Sequence, residues 1–168
     1  LAKLNIHALI DKNMHASVYD GLALSGGTYT RYRDIAQLNQ KKSTCPNDTV
    51  IMTEGIFSMH GEAPDLHLFP SNYPLIIDEA HAFGVLGPQG LGSVAAHGLT
   101  QTEVPLRIIP FGKALGGAGA MVAGDKAWIT ALLQAARPLI YSTAMSPALA
   151  YGLNKAFELL RAADSARL

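Results

Sequence analysis

Short apolar runs alternate along this chain with stretches in which apolar residues recur every three or four positions. The runs predict strands over residues 6–10, 28–32, 50–53, 75–77, 106–109 and 120–123. Helical spacing predicts helices over 16–24, 35–41, 126–136 and 147–163, because side chains three and four apart share one helix face. The last helix opens with Pro147, whose missing N–H falls among the donors a first turn leaves unpaired anyway. Strands alternating with helices specify an α/β sheet domain.

One connection breaks the pattern. Between the loop "SMHGEAPDL" and the strand "PLIID" lie only residues 67–73, including Pro70. A crossover between parallel strands takes about a dozen residues or more, normally a helix. Either the two strands are joined in an unusual way or residues have dropped out. The second explanation is preferred, with poor order expected over 67–73.

Composition narrows the class. The 168 residues suffice for one domain with a core of its own. Apolar residues make up 49% and charged ones 15%, which suits a buried sheet and not a disordered tail. Lys+Arg and Asp+Glu balance at 13 each, so the basic stripe of a nucleic-acid binder is missing. Tyr29, Arg31, Tyr32 and Arg33 could pass for such a patch, but their alternation reads better as a strand with one solvated face. Cys45 stands alone, which excludes an internal disulfide and a cysteine-based zinc site. His7, His60, His67 and His97 follow no ligand spacing, so no metal is expected. The opening "LAKLNIHALI" is no secretory signal, and no apolar stretch reaches membrane-spanning length. A cytoplasmic protein that binds neither membrane nor nucleic acid is expected.

The chemistry centres on "LIIDEAHAFG". Asp78-Glu79-Ala80-His81 spells the DEAH box of ATP-driven helicases. That reading requires a phosphate cradle G-x-x-x-x-G-K-[ST] upstream. None precedes Asp78, and the "GK" at Gly112-Lys113 lies downstream and is followed by Ala114, which offers no hydroxyl for a metal. The same acid and lysine suit pyridoxal phosphate (PLP), which needs an amine for its carbonyl and a carboxylate beside its ring nitrogen. Asp78 ends an apolar strand, at the sheet edge where α/β ligands sit. Lys113 follows another, "LRIIPFGK", and the small residues of "ALGGAGA" leave room for a ring beside it. From spacing alone, a surface lysine and a strand-capping acid explain the pattern equally well.

Five segments tip the balance: "DKNMHASVYDG", "TEGIFSMHGEAPDL", "LIIDEAHAFGVLGPQGLGS", "FGKALGGAGA" and "YSTAMSPALA". In this order, and spanning nearly the whole chain, they resemble the α-oxoamine synthases, a PLP-dependent family. The resemblance implies the large domain of the aspartate aminotransferase-type fold, a mainly parallel sheet with helices on both faces. It implies an acyltransferase that condenses an amino acid, L-alanine or alternatively glycine, with an acyl thioester and releases carbon dioxide. It further implies that Lys113 carries the cofactor and then takes the α-proton, while Asp78 pairs with the pyridine nitrogen. His15 would stack on the ring, and His81 and Ser58 would lie at its phenolic oxygen. Ser142 and Thr143 would reach the phosphate of a partner subunit's cofactor, making the working unit a homodimer. A non-catalytic structural subunit of a synthase complex is the alternative from another class.

Departures from the family pattern are specific. Pro110 stands where these enzymes carry a phosphate-binding threonine, and proline supplies neither hydroxyl nor N–H. Asp34 follows "RYR" directly where the family has intervening residues. The chain begins after the family's glycine-containing segment and stops before its C-terminal small domain. Residues 1–168 are therefore read as the central part of the PLP-binding large domain, which is incomplete here.

Overall fold

The computed structural model describes residues 1–164. Its strands are β1 (His7–Asp11), β2 (Tyr29–Tyr32), β3 (Thr49–Glu54), β4 (Leu75–Asp78), β5 (Leu106–Pro110) and β6 (Ala120–Gly124). The helices are α1 (Ala16–Ser25), α2 (Ile35–Lys41), α3 (Ser93–Ala96), α4 (Lys126–Ala135), α5 (Arg137–Ile140) and α6 (Pro147–Ala162). Every strand and long helix expected from periodicity is present, with ends shifted by a residue or two. The four-residue helices α3 and α5 are too short to leave a periodic signal.

The strands form one sheet in the order β2-β1-β3-β4-β5-β6. The first five are parallel and β6 runs antiparallel to β5. Register explains the burial. Ala8, Ile10, Val50, Met52, Ile76 and Leu106 pack on one face with Val18, Tyr19 and Leu22 of α1 and with Trp128, Ile129 and Leu132 of α4. Leu9, Ile51, Leu75 and Ile77 pack on the other, with Leu38 of α2 and Val94 of α3. A slip of one residue would exchange the two faces. Tyr32, on the edge strand β2, is buried and its hydroxyl donates to the Met52 carbonyl at 3.0 Å, while Tyr29 and Arg31 are exposed.

Caps fix where the helices begin. Asp34 accepts from the Gln37 N–H at 2.8 Å to start α2, and Asp125 accepts from the Ala127 and Trp128 N–H groups to start α4. The short connection has an unusual form. β3 and β4 are parallel neighbours linked by 55–74 with no α-helix, only a 3-10 turn at Leu66–Leu68. The poor order expected over 67–73 is not found: Asp65 accepts from the His67 N–H at 3.0 Å and closes the turn, while the Tyr73 hydroxyl donates to the Lys42 carbonyl at 3.2 Å.

Because β1 to β5 are parallel, Asp11, Glu54, Asp78 and Pro110 all stand at one edge of the sheet. Strand order reverses between β1 and β3, and in doubly wound sheets ligands bind beyond the carboxyl ends of strands at such a reversal. No described helix is long and apolar enough to cross a membrane.

Candidate active site

Three loops at that edge carry residues expected to form the site. Asp78 ends β4 with its side chain buried, and its Oδ1 accepts from the Ala80 N–H at 2.9 Å. Its other oxygen accepts no hydrogen bond among the described residues. Burial raises the carboxyl above its ordinary range, while the Ala80 amide and the positive charges of Lys113, His15 and His81 pull it back.

The chain turns sharply after Asp78, with the Ala82 and Phe83 N–H groups both donating to the Glu79 carbonyl. This turn carries His81 towards Lys113, whose Nζ donates to His81 Nε2 at 2.6 Å. Burial and the Lys113 charge lower the His81 pKa, and Asp78 offsets part of that shift. A neutral His81 ring that accepts at Nε2 carries its proton on Nδ1.

Lys113 sits in the reversal from β5 to β6, closed by Phe111 N–H to Gly119 carbonyl at 2.9 Å and Gly117 N–H to Phe111 carbonyl at 2.8 Å. The two loops meet at Gly84, where φ is 86° and an added Cβ would stand 2.5 Å from the Ala114 Cβ. Only glycine allows that approach.

His15 is the N-cap of α1 and is exposed. The Ser17 N–H donates to His15 Nδ1 at 3.3 Å and the Ser17 hydroxyl lies 2.9 Å from the same nitrogen, so a neutral ring carries its proton on Nε2. Ser58 is half-buried in the loop after β3. Ser142 and Thr143 are exposed between α5 and α6, and the Ser142 hydroxyl donates to the Pro138 carbonyl. Among the described residues no hydrogen bond ties either of them to the Lys113 group. Pro110 ends β5 opposite Ala120 and offers a phosphate no donor.

Two buried acids escape the sequence reading. Glu54, the last residue of β3, accepts from the backbone N–H of His15 and of Ser58. Glu79 is fully buried, accepts from the Ser93 and Val94 N–H groups at 2.8 and 3.1 Å, and pairs with Arg107 at 3.2 Å. The acid of the DEAH box that a helicase would use thus anchors a loop. Each follows an apolar strand, the signal that singled out Asp78, but their donors come from distant segments. Gly92 (φ 90°) makes room for Glu79, since a Cβ there would lie 2.6 Å from Oε2.

A primary amine, a buried carboxylate with an open oxygen and two imidazoles suit an aromatic aldehyde with a cationic ring nitrogen. The amine fits the carbonyl, the carboxylate fits the charged nitrogen, and an imidazole fits a phenolic oxygen. The donor set therefore fits PLP at its ring end, while Pro110 offers nothing to its phosphate end.

Known proteins share this fold and sequence. The family model for aminotransferase class I and II matches residues 3–166. An 8-amino-7-oxononanoate synthase of Pseudomonas putida is 44% identical over 91% of this chain and 41% of its own length, so the chain spans about two-fifths of that relative. The crystal structure of an 8-amino-7-oxononanoate synthase from Francisella tularensis superposes with a TM-score of 0.85 at 35% identity, covering 96% of this chain and 49% of that one. A serine palmitoyltransferase solved with its PLP internal aldimine gives a TM-score of 0.87 at 25% identity, covering 96% and 42%. The match over residues 3–166 and the shared fold agree: the chain belongs to the aminotransferase class I and II family.

Proposed function

We propose that the protein of which this chain forms part is a PLP-dependent C-acyltransferase of the α-oxoamine synthase type, an 8-amino-7-oxononanoate synthase of biotin biosynthesis. It joins L-alanine to a pimeloyl thioester and releases the thiol and carbon dioxide. The observation that carries this reading is the Lys113 Nζ to His81 Nε2 contact of 2.6 Å beside the buried carboxylate of Asp78. When bound, PLP supplies a carbonyl for a primary amine and a protonated ring that withdraws electrons from the amino acid's α-carbon.

Each residue then has a task. Lys113 would provide the amine that holds the cofactor, and its Nζ, when free, would take the α-proton as general base. Asp78 holds the proton at the ring nitrogen, and its burial strengthens that charge pairing. His81 would turn from Lys113 to hold the phenolic oxygen, with Ser58 on the same side. His15 covers a face of the ring and limits its tilt. Ser142 and Thr143, exposed in the single chain, serve the phosphate of a partner subunit's cofactor in a homodimer. With Pro110 in the threonine position, backbone or partner groups take over the phosphate contact. The protein works in the cytoplasm.

Absorption spectra of the full-length protein with PLP, before and after borohydride, test this assignment. Parent protein should show a visible band that borohydride removes, leaving a stable adduct on Lys113. The variant Lys113→Ala should carry no covalent adduct after borohydride and denaturation, and a reduced PLP adduct still attached to that variant would sink the role of Lys113. Product formation from alanine against glycine, each with pimeloyl and acetyl thioesters, identifies the substrates.

A further inference from the structure

We infer that Glu54 is a positioning residue whose buried carboxylate clasps the backbone of His15 and of Ser58, setting the two loops beside Asp78. Glu54 is 2% exposed. Its Oε1 accepts from the His15 N–H and its Oε2 from the Ser58 N–H at 3.3 Å. One donor comes from the loop after β1 and the other from the loop after β3, the pair of strands at which strand order reverses. Glu54 also stands opposite Asp78 in the β3–β4 register, so the clasp lies beside the carboxylate on which the site is centred.

A carboxylate suits this place because it is acceptor-only and has two oxygens for two N–H groups. Charge-assisted hydrogen bonds of this kind are about twice as strong as neutral ones. Burial and the neighbouring charge of Asp78 raise the Glu54 carboxyl, while the two amides work to keep it ionised. Ser17 complements the clasp: Glu54 fixes the backbone of His15, and Ser17 fixes its ring through Nδ1. Neither loop otherwise shares a hydrogen bond with the other among the described residues.

That the clasp serves PLP rests on the function proposed above; the clasp itself does not. The test uses the full-length protein and the variant Glu54→Gln, which keeps the shape but has one acceptor oxygen for two donors. Amide hydrogen exchange without cofactor should show His15 and Ser58 protected in the parent and at least one of them exposed in the variant. The PLP dissociation constant should rise about tenfold, the scale of one buried amide left unpaired, while borohydride still fixes PLP on Lys113. Unprotected His15 and Ser58 amides in the parent would overturn the inference, and this measurement decides even if the variant does not fold. A variant that merely unfolds at lower temperature, with PLP affinity unchanged, would overturn the positioning role. If the parent takes up no PLP, the proposed function fails, and the exchange rates still judge the clasp.

Discussion

Replacing Glu79 by Gln tests whether the DEAH acid is structural. The side chain is fully buried, receives two backbone N–H groups and pairs with Arg107 at 3.2 Å. Glutamine has one acceptor oxygen, so one amide would face the new NH2 group, and Arg107 would lose its counter-charge. A stranded buried amide costs about 1–3 kcal/mol, and removing one partner of a buried ion pair costs about 3–5 kcal/mol in all. Arg107 keeps about 20% of its side chain in solvent, which places the expectation at the lower end, about 3 kcal/mol. Chemical denaturation followed by circular dichroism measures it. The internal control is Glu158→Gln, which removes the exposed Lys155–Glu158 pair at 2.8 Å and should cost no more than about 0.5 kcal/mol. A double-mutant cycle with Arg107→Met should return a coupling of about 1 kcal/mol or more. If Glu79→Gln costs no more than Glu158→Gln, the argument from burial is wrong.

Three further outcomes are expected. Asp78→Asn should bind PLP while α-proton exchange slows on the order of 10²–10³-fold, as when other preorganised electrostatic partners are removed; unchanged exchange, followed by NMR in deuterium oxide, would remove Asp78 from its role. Burial raises the Asp78 carboxyl in the folded chain, so its ionised form costs stability at neutral pH. That cost fades as pH falls through the raised value and is gone below the unfolded one. Cofactor-free Asp78→Asn should therefore be the more stable protein at neutral pH, with its advantage shrinking in denaturation curves taken towards acid pH. An advantage that grows instead would contradict burial as the cause. Gly124→Ala, whose Cβ would stand 2.0 Å from the Pro105 carbonyl oxygen, should destabilise by about 2 kcal/mol or more. Gly21→Ala, in α1 with nothing within 4 Å, should stabilise by roughly 0.5–1 kcal/mol, and equal denaturation midpoints for the two would refute the packing.

The sequence by itself determined the elements and nominated the groups proposed to react. Local periodicity shows in single segments, so β3 and α2 are readable from the runs "VIMT" and "IAQLNQK". Asp78 and Lys113 each follow an apolar run, a pattern that spacing alone explains equally well by strand capping, and the five ordered segments single them out. Tertiary structure alone decided what those groups meet. The contact of Lys113 with His81 joins two loops on different strands, and it depends on Gly84 letting the loops touch. The antiparallel direction of β6 and the helix-free join of β3 to β4 follow from long-range pairing, which no local pattern encodes. Glu54 and Glu79 are the sharpest case. Each is an acid after an apolar strand, as Asp78 is, yet their oxygens are filled by backbone N–H groups from other loops. Asp78 keeps an oxygen open, and that difference arises only when distant segments bring their donors, because a buried carboxylate is defined by what surrounds it.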